Sequence, residues 1–247
     1  MPDLSIRILR PELLDSGHMP DDEVHKSLLD LRRVNRLLGG RRVLLAGLAR
    51  EVSRRGLAQF TVLDVASGSC DLPMAVLNWA ERRHLQAHVF ALEYWHKYLA
   101  MFRDEFARQA CFHPICGDAL RAPLAESCVD FVTCSLFLHH LNGDRAIELL
   151  RDMSRWARHA VIVNDLERRA LPYHFFRLFS PLLLRSSMSR SDGLTSIGQS
   201  YRTTELERLA DAAGLRNRTV ERRWPFRLLL IAEPASVLHP NRRYGVS

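Results

Sequence analysis

From Gln59 onward the chain alternates short apolar runs with amphipathic stretches, and few folds accept that pattern. The runs fall at 60–66, 87–94, 112–116, 129–137 and 160–164, with helical spacing between them at 72–83, 96–109 and 144–158. Each run is apolar on both faces. A strand in a one-sided sheet would alternate, so these strands need cover above and below, as in a parallel sheet flanked by helices. Before them, residues 21–56 predict two helices broken at Gly39-Gly40, with Asp21 or Asp22 capping the first and Val43, Leu44, Leu48 and Val52 lining the second. After Asp165 comes a strand-free insertion to about 200. A helix started by Thr203 or Thr204 follows, then two strands at 215–223 and 226–233. Only Trp224-Pro225 separates that last pair, which predicts an antiparallel hairpin. The expected organisation is an α/β core over 59–247, a helical extension over 1–58, and an inserted lid at about 167–200.

Composition excludes several classes. Apolar residues make up 47% and charged residues 26% of the 247, which is ordinary for a globular chain. No run of about 18 apolar residues is present, so no membrane span is expected. The opening stretch carries Asp3 and no long apolar core, so no secretion signal is expected. The net charge of +7 invites a nucleic-acid reading, but 33 of the 35 basic residues are arginines scattered along the whole chain. That is a compositional bias rather than a phosphate-binding patch. Five cysteines without a Cys-x-x-Cys indicate a reduced, cytoplasmic protein with neither a disulfide framework nor a metal site.

The chemistry is concentrated at the ends of the first three apolar runs. Asp64-Val65-Ala66-Ser67-Gly68-Ser69-Cys70-Asp71 carries a strand through a turn of small residues into a helix. Such a turn lets a ligand approach the backbone and aims free N–H groups at it. Glu93, 25 residues after Gly68, ends the second run, where a carboxylate can accept both hydroxyls of a ribose. Asp118, in Gly117-Asp118-Ala119, ends the third and can accept from an exocyclic amine such as adenine's. Tyr94 and Trp95 stand where an aromatic ring could cover the adenine. A nicotinamide dinucleotide fits less well, because Asp71 falls where its fingerprint wants a small residue beside the pyrophosphate. A carboxylate is better tolerated near the ammonium and sulfonium of S-adenosylmethionine. No phosphate-loop motif for ATP is present.

These residues resemble the class I S-adenosylmethionine-dependent methyltransferases, and most of all the small-molecule branch that includes the ubiquinone and menaquinone biosynthesis enzymes. The resemblance covers about 59–234. Beyond the turn, Glu93 and Gly117-Asp118-Ala119, it is carried by the stretch from Pro123 to Val132, by Leu138-His139-His140-Leu141, and by Ala212-Ala213-Gly214-Leu215. Ala66 and Cys70 replace the outer two of three customary glycines, and Cys70 would bring a sulfur near the methionine end of the cofactor. The resemblance implies a Rossmann-like sheet of seven mostly parallel strands in order 3-2-1-4-5-7-6, strand 7 antiparallel, with helices on both faces. It implies S-adenosyl-L-methionine as cofactor. It assigns Asp64, Ala66, Ser67, Gly68, Glu93, Tyr94, Asp118, Ala119 and Ser135 to cofactor binding, with Leu136 beside the methionine part. Asn35 and Arg36 would approach the cofactor as N-terminal polar residues do in related quinone enzymes.

Methyl transfer from a sulfonium needs positioning and exclusion of water, and a phenolic acceptor also gains from a base. His139 and His140 follow the fourth strand at the ligand-binding end of the sheet, and either could serve if neutral; an imidazole ordinarily titrates near about 6.5. The aromatic stretch 171–184, too short to span a bilayer, reads as a lid over an apolar acceptor or a contact with a membrane surface. The expected partner is a small, apolar or aromatic molecule of phenolic, quinol or polyketide type, methylated on oxygen or on carbon. Nucleic-acid methylation is disfavoured, since the Asp/Asn-Pro-Pro-Tyr signature and the Pro-Cys nucleophile are both absent. A protein methyltransferase and a non-catalytic cofactor-binding partner domain stand as alternatives.

Overall fold

In the computed structural model, which describes residues 3–235, every expected strand forms. The strands are β1 (Gln59–Val65), β2 (Gln86–Glu93), β3 (Phe112–Cys116), β4 (Val129–Ser135), β5 (Ala157–Leu166), β6 (Arg216–Arg223) and β7 (Arg227–Glu233). They build one sheet in the order β3-β2-β1-β4-β5-β7-β6. The first five are parallel, with Val62 opposite Val89 on one side and Phe131 on the other. β7 runs antiparallel to both β5 and β6, which confirms the hairpin. This is the Rossmann-like methyltransferase fold in the expected strand order.

The two-sided burial follows from the period of a strand. Val62, Phe131 and Ile162 face α1 (Asp21–Leu37), α2 (Gly40–Arg55) and α3 (Asp71–Glu81), packing with Leu28, Leu44, Leu48 and Val76. Their neighbours Leu63, Val132 and Val163 point the other way, into a second core with Leu149, Leu150, Met153 and Trp156. Two fully buried layers on one sheet explain why the strands read as continuous apolar runs. Gly47 of α2 permits the closest approach, since a Cβ there would lie 3.2 Å from Leu229 Cδ1 and 3.4 Å from Ile162 Cγ2. Both edges resist further pairing. β3 carries Pro114, and β6 is built of arginines with Asn217, Thr219 and Glu221.

Three local expectations are corrected. The single helix expected over 96–109 is two, α4 (His96–Met101) and α5 (Arg103–Phe106). Phe102 leaves helical geometry between them, its ring stacked on His25 at 5.3 Å and covered by Arg32 at 3.8 Å. Pro20, not an aspartate, precedes α1, and Asp21, Asp22 and Glu23 occupy its first turn, where the helix dipole favours them. After α6 (Gly143–Trp156), the insertion forms α7 (Ala170–Leu183) and α8 (Ser187–Gln199); then α9 (Thr203–Ala212) is capped by Arg202 rather than by Thr203 or Thr204, and the Arg202 N–H donates to Glu205 Oε2 at 2.8 Å.

The insertion carries its own small core of Phe176, Leu184 and Ile197, packed against Val34 of α1. The outer side of α7 leaves Leu171, Leu178 and Leu182 exposed. No helix among the described residues is long and apolar enough to cross a membrane.

Candidate active site

A cavity of about 470 Å³ opens where β1 to β5 end, roofed by α1, α7, α8 and the segment before α1. Its floor begins with the turn after β1. Ala66, Gly68 and Cys70 all adopt left-handed backbone, at φ 56°, 52° and 61°. An L-residue pays roughly 1–2 kcal/mol for that conformation. The two non-glycine positions are held by hydrogen bonds, Ser67 N–H to Leu92 O at 3.1 Å and Cys70 N–H to Ser67 O at 2.8 Å. At Gly68 the absent Cβ would meet only Leu28 Cδ2 at 3.9 Å, so the turn leaves an open cradle over its backbone.

Glu93 is the anchor of this half. Its Oε2 accepts from Gly68 N–H at 2.7 Å and its Oε1 from Trp95 N–H at 2.9 Å. Burial raises its pKa against those two donors, and the carboxylate lines the cavity. Asp118 forms a local turn by accepting from Leu120 N–H at 2.9 Å, and it too lines the cavity with Ala119. Tyr94 is exposed at the rim, edge-on to Trp95 at 5.0 Å.

Of the nine residues expected at the cofactor, Ala66, Gly68, Glu93, Tyr94, Asp118 and Ala119 line the cavity. Asp64, Ser67 and Ser135 do not; they brace the floor from beneath. Thr133 Oγ1 donates to Asp64 Oδ1 at 2.5 Å, Ser67 Oγ donates to Asp64 O at 2.9 Å, and Asn164 Nδ2 donates to Ser135 Oγ at 3.4 Å. Burial pushes the Asp64 carboxyl up to about 7, against the Thr133 and Ser67 hydrogen bonds. Cys70 also points away, its thiol buried in the α1–α3 core rather than beside the cavity. Asn35 donates weakly to Asp71 Oδ2 at 3.3 Å under the turn, and Arg36 is exposed.

The opposite half is a polar cluster in an apolar wall. His139 and His140 lie in a short turn, Leu138–His140, after β4. His139 is buried, with Nδ1 2.6 Å from Asp165 Oδ1 and Nε2 3.6 Å from Glu12 Oε1. Burial alone would strip its proton, but the charges and hydrogen bonds of Asp165 and Glu12 outweigh it and push the imidazole up to about 10. His139 therefore keeps its proton at neutral pH, unlike the neutral imidazole expected of a base. His140 is less buried. Its Nδ1 lies 2.6 Å from Asp15 Oδ2 and its Nε2 3.9 Å from Glu12 Oε2, with the ring stacked on Phe137. Glu12 also accepts from Ser196 Oγ at 2.6 Å and Gln199 Nε2 at 2.8 Å, which stitches the leading segment to α8.

Glu12, His139 and His140 each offer a ligand atom within 4.8 Å of one another, spacing that could admit a divalent cation, whereas cysteine spacing had indicated no metal site. In the structure these groups are joined as acid–imidazole pairs. Glu12, Asp15 and Asp165 were missed by sequence reading, because the first two lie in a segment without periodicity. Asp165 was legible in principle, as an acid at the carboxyl end of a parallel strand.

The comparisons with known proteins agree with this geometry. Residues 63–163, spanning β1 to β5, match the family described as a methyltransferase domain. That match covers less than half of the chain, and it is the likeness to a methyltransferase domain that the sequence motifs led one to expect. Solved structures similar to this chain include human N-acetylserotonin methyltransferase in complex with SAM, at 15% identity and a TM-score of 0.64, over 92% of this chain and 63% of that one. An O-methyltransferase family 2 protein from Planctomyces limnophilus in complex with apigenin matches at 16% identity and a TM-score of 0.53, over 71% and 50%. A SAM-dependent methyltransferase from Aquifex aeolicus matches at 16% identity and 0.52, over 70% and 81%. At these identities the likeness is one of fold, and the chain spans less than two thirds of the first two of these proteins. No curated protein sequence matches it. The cavity floor fits S-adenosylmethionine: an open small-residue cradle, a carboxylate suited to the ribose hydroxyls and an acceptor suited to the adenine amine.

Proposed function

We propose that this methyltransferase methylates a hydroxyl oxygen on a small, apolar aromatic acceptor of phenolic, quinol or polyketide type. The observation that carries the reading is one cavity with two unlike halves. Glu93 and Asp118 stand at the strand ends, and His140 lines the same cavity with the apolar side chains Leu31, Val34, Pro172, Phe175, Phe176 and Ile197. An apolar wall with a few convergent polar groups suits a flat, largely apolar ligand. The likeness to the Planctomyces limnophilus O-methyltransferase family 2 protein, in complex with apigenin, supports the same reading.

S-adenosylmethionine supplies the methyl group. Glu93 would hold the ribose hydroxyls, Asp118 the adenine amine, and Ala66 and Gly68 the close backbone approach. His140 takes the proton from the acceptor hydroxyl, its ring aimed by Asp15, Glu12 and the Phe137 stack. His139, held by Asp165, keeps Glu12 ionised: burial raises that carboxyl, and the two histidines outweigh burial and hold it below its ordinary value. The α7–α8 insertion closes over the acceptor and excludes water. A phenol and quinol panel, incubated with S-adenosylmethionine and read by mass for a methyl gain, tests the reading. Turnover of apolar phenols supports it. A gain only on nucleic acid or protein would overturn it.

A further inference from the structure

Arg227, the first residue of β7, is 1% exposed and lines the same cavity, near the first turn of α2. Its Nε makes a long contact to Leu38 O at 3.4 Å. Neither Nη1 nor Nη2 has a hydrogen-bond partner, and Arg227 forms no ion pair within 4.0 Å among the described residues. The charges of Asp165 and Asp71 act on it without an ion pair. A buried guanidinium with two idle nitrogens is costly to fold, because nothing repays its lost hydration. Nearby polar atoms are idle as well. Asn35 Oδ1 and Asn164 Oδ1 are buried without donors. A Cβ on Gly40 would sit 2.5 Å from that Asn35 oxygen and 3.1 Å from Arg227 Nη2, so these groups converge on the start of α2. The first intrahelical bond there is Val43 N–H to Gly39 O, which leaves the amides before it at the positive end of the helix dipole.

We propose that Arg227, beside the first turn of α2, is a carboxylate-binding site that the ligand completes. A carboxylate is the matching group: planar, anionic, and able to take both free guanidinium nitrogens in a bidentate pair. Two sources carry one into this cavity, the methionine moiety of the cofactor and an acid group on the acceptor. Arg227 lines the same cavity as Glu93, Asp118 and His140, so either ligand can present its acid group to it. The inference rests on the cofactor assignment and adds to it a residue that no motif marks.

The test compares S-adenosylhomocysteine with 5′-methylthioadenosine, which lacks the amino-acid carboxylate, by calorimetry on the wild type, Arg227→Gln and Arg227→Lys. Hydroxybenzoates against the matching phenols form the second arm. A cofactor source predicts that Arg227→Gln binds S-adenosylhomocysteine 10-fold to 100-fold more weakly, with 5′-methylthioadenosine unchanged and Arg227→Lys between. An acceptor source predicts that the nucleosides are unaffected and that the preference for hydroxybenzoates over phenols is lost. Gly40→Ala, which crowds Nη2 without touching the charge, should shift the same preference by a smaller factor. The ligand-free Arg227→Gln protein should melt at the wild-type temperature or above, since an unpaired buried charge is gone. Unchanged preferences in both arms, or a fall in ligand-free melting temperature without a change in preference, would overturn the site. Failure of S-adenosylhomocysteine to bind the wild type would instead count against the cofactor assignment.

Discussion

The two halves of the cavity are made in different ways. The cofactor half is local: Ala66, Gly68, Glu93 and Asp118 sit at the end of a parallel strand or within three residues of it, and backbone hydrogen bonds hold Glu93 and Asp118. The acceptor half is assembled from distant pieces, with Glu12 and Asp15 before α1, the two histidines after β4, Asp165 at the end of β5, and α8 closing the ring. A strand end needs only a motif to be recognised. A cluster held by tertiary ion pairs has no sequence spacing at all. The difference predicts that damage to the first half falls on cofactor affinity, and damage to the second on turnover and stability.

The largest expected effect is on turnover. His140→Gln should lower it by about 10²–10⁴-fold with S-adenosylhomocysteine affinity little changed, and chelators should not reproduce the loss. His139→Gln should behave differently and cost about 3–5 kcal/mol of stability, because it leaves Glu12 and Asp165 buried without their cation. Equal turnover loss and equal stability in the two variants would break the distinction between base and positioning residue. Next, Glu93→Ala should weaken S-adenosylhomocysteine binding by about 1–3 kcal/mol and leave the acceptor's KM unchanged. Loss of the Gly68 N–H acceptor contributes to that figure, so Glu93→Gln should recover part of it.

A smaller effect separates floor from lining. Asp64 has its pKa raised from 3.8 to about 7 by burial, with the charges of Asp71 and Glu93 adding to the rise. Between about pH 4 and about pH 7 the unfolded chain has released a proton that the folded chain keeps. Folded stability therefore falls as pH rises through that window. Asp64→Asn cannot ionise, so urea melts should show its stability gaining on the wild type by at least about 1.4 kcal/mol, the equivalent of one pKa unit. A constant difference across that range would place Asp64 outside this account. The smallest effect is in the insertion. Amides of α7 and α8 should gain hydrogen-exchange protection when cofactor product and acceptor are both bound, and unchanged exchange would make the insertion fixed wall rather than lid.

The sheet was legible because fully buried strands and amphipathic helices leave different periods, and strand order followed from the family motifs. Six of the nine expected cofactor positions reach the cavity for the same reason. Asp64, Ser67 and Ser135 share those motifs but brace the turn, and motif membership does not distinguish lining from support. Phe102 could not be seen to break its helix, since its place is set by His25 and Arg32 on α1. Glu12, Asp15 and Arg227 were invisible because an isolated acid or arginine reads as solvated surface until the fold buries it.

The division of the cavity is tested most directly by the structure of the S-adenosylhomocysteine complex. The account predicts the ribose hydroxyls on Glu93, the adenine amine on Asp118, and the sulfur facing His140 across the apolar space under α7 and α8. A ribose away from Glu93, or an adenosine lying against α7 and α8, would contradict it.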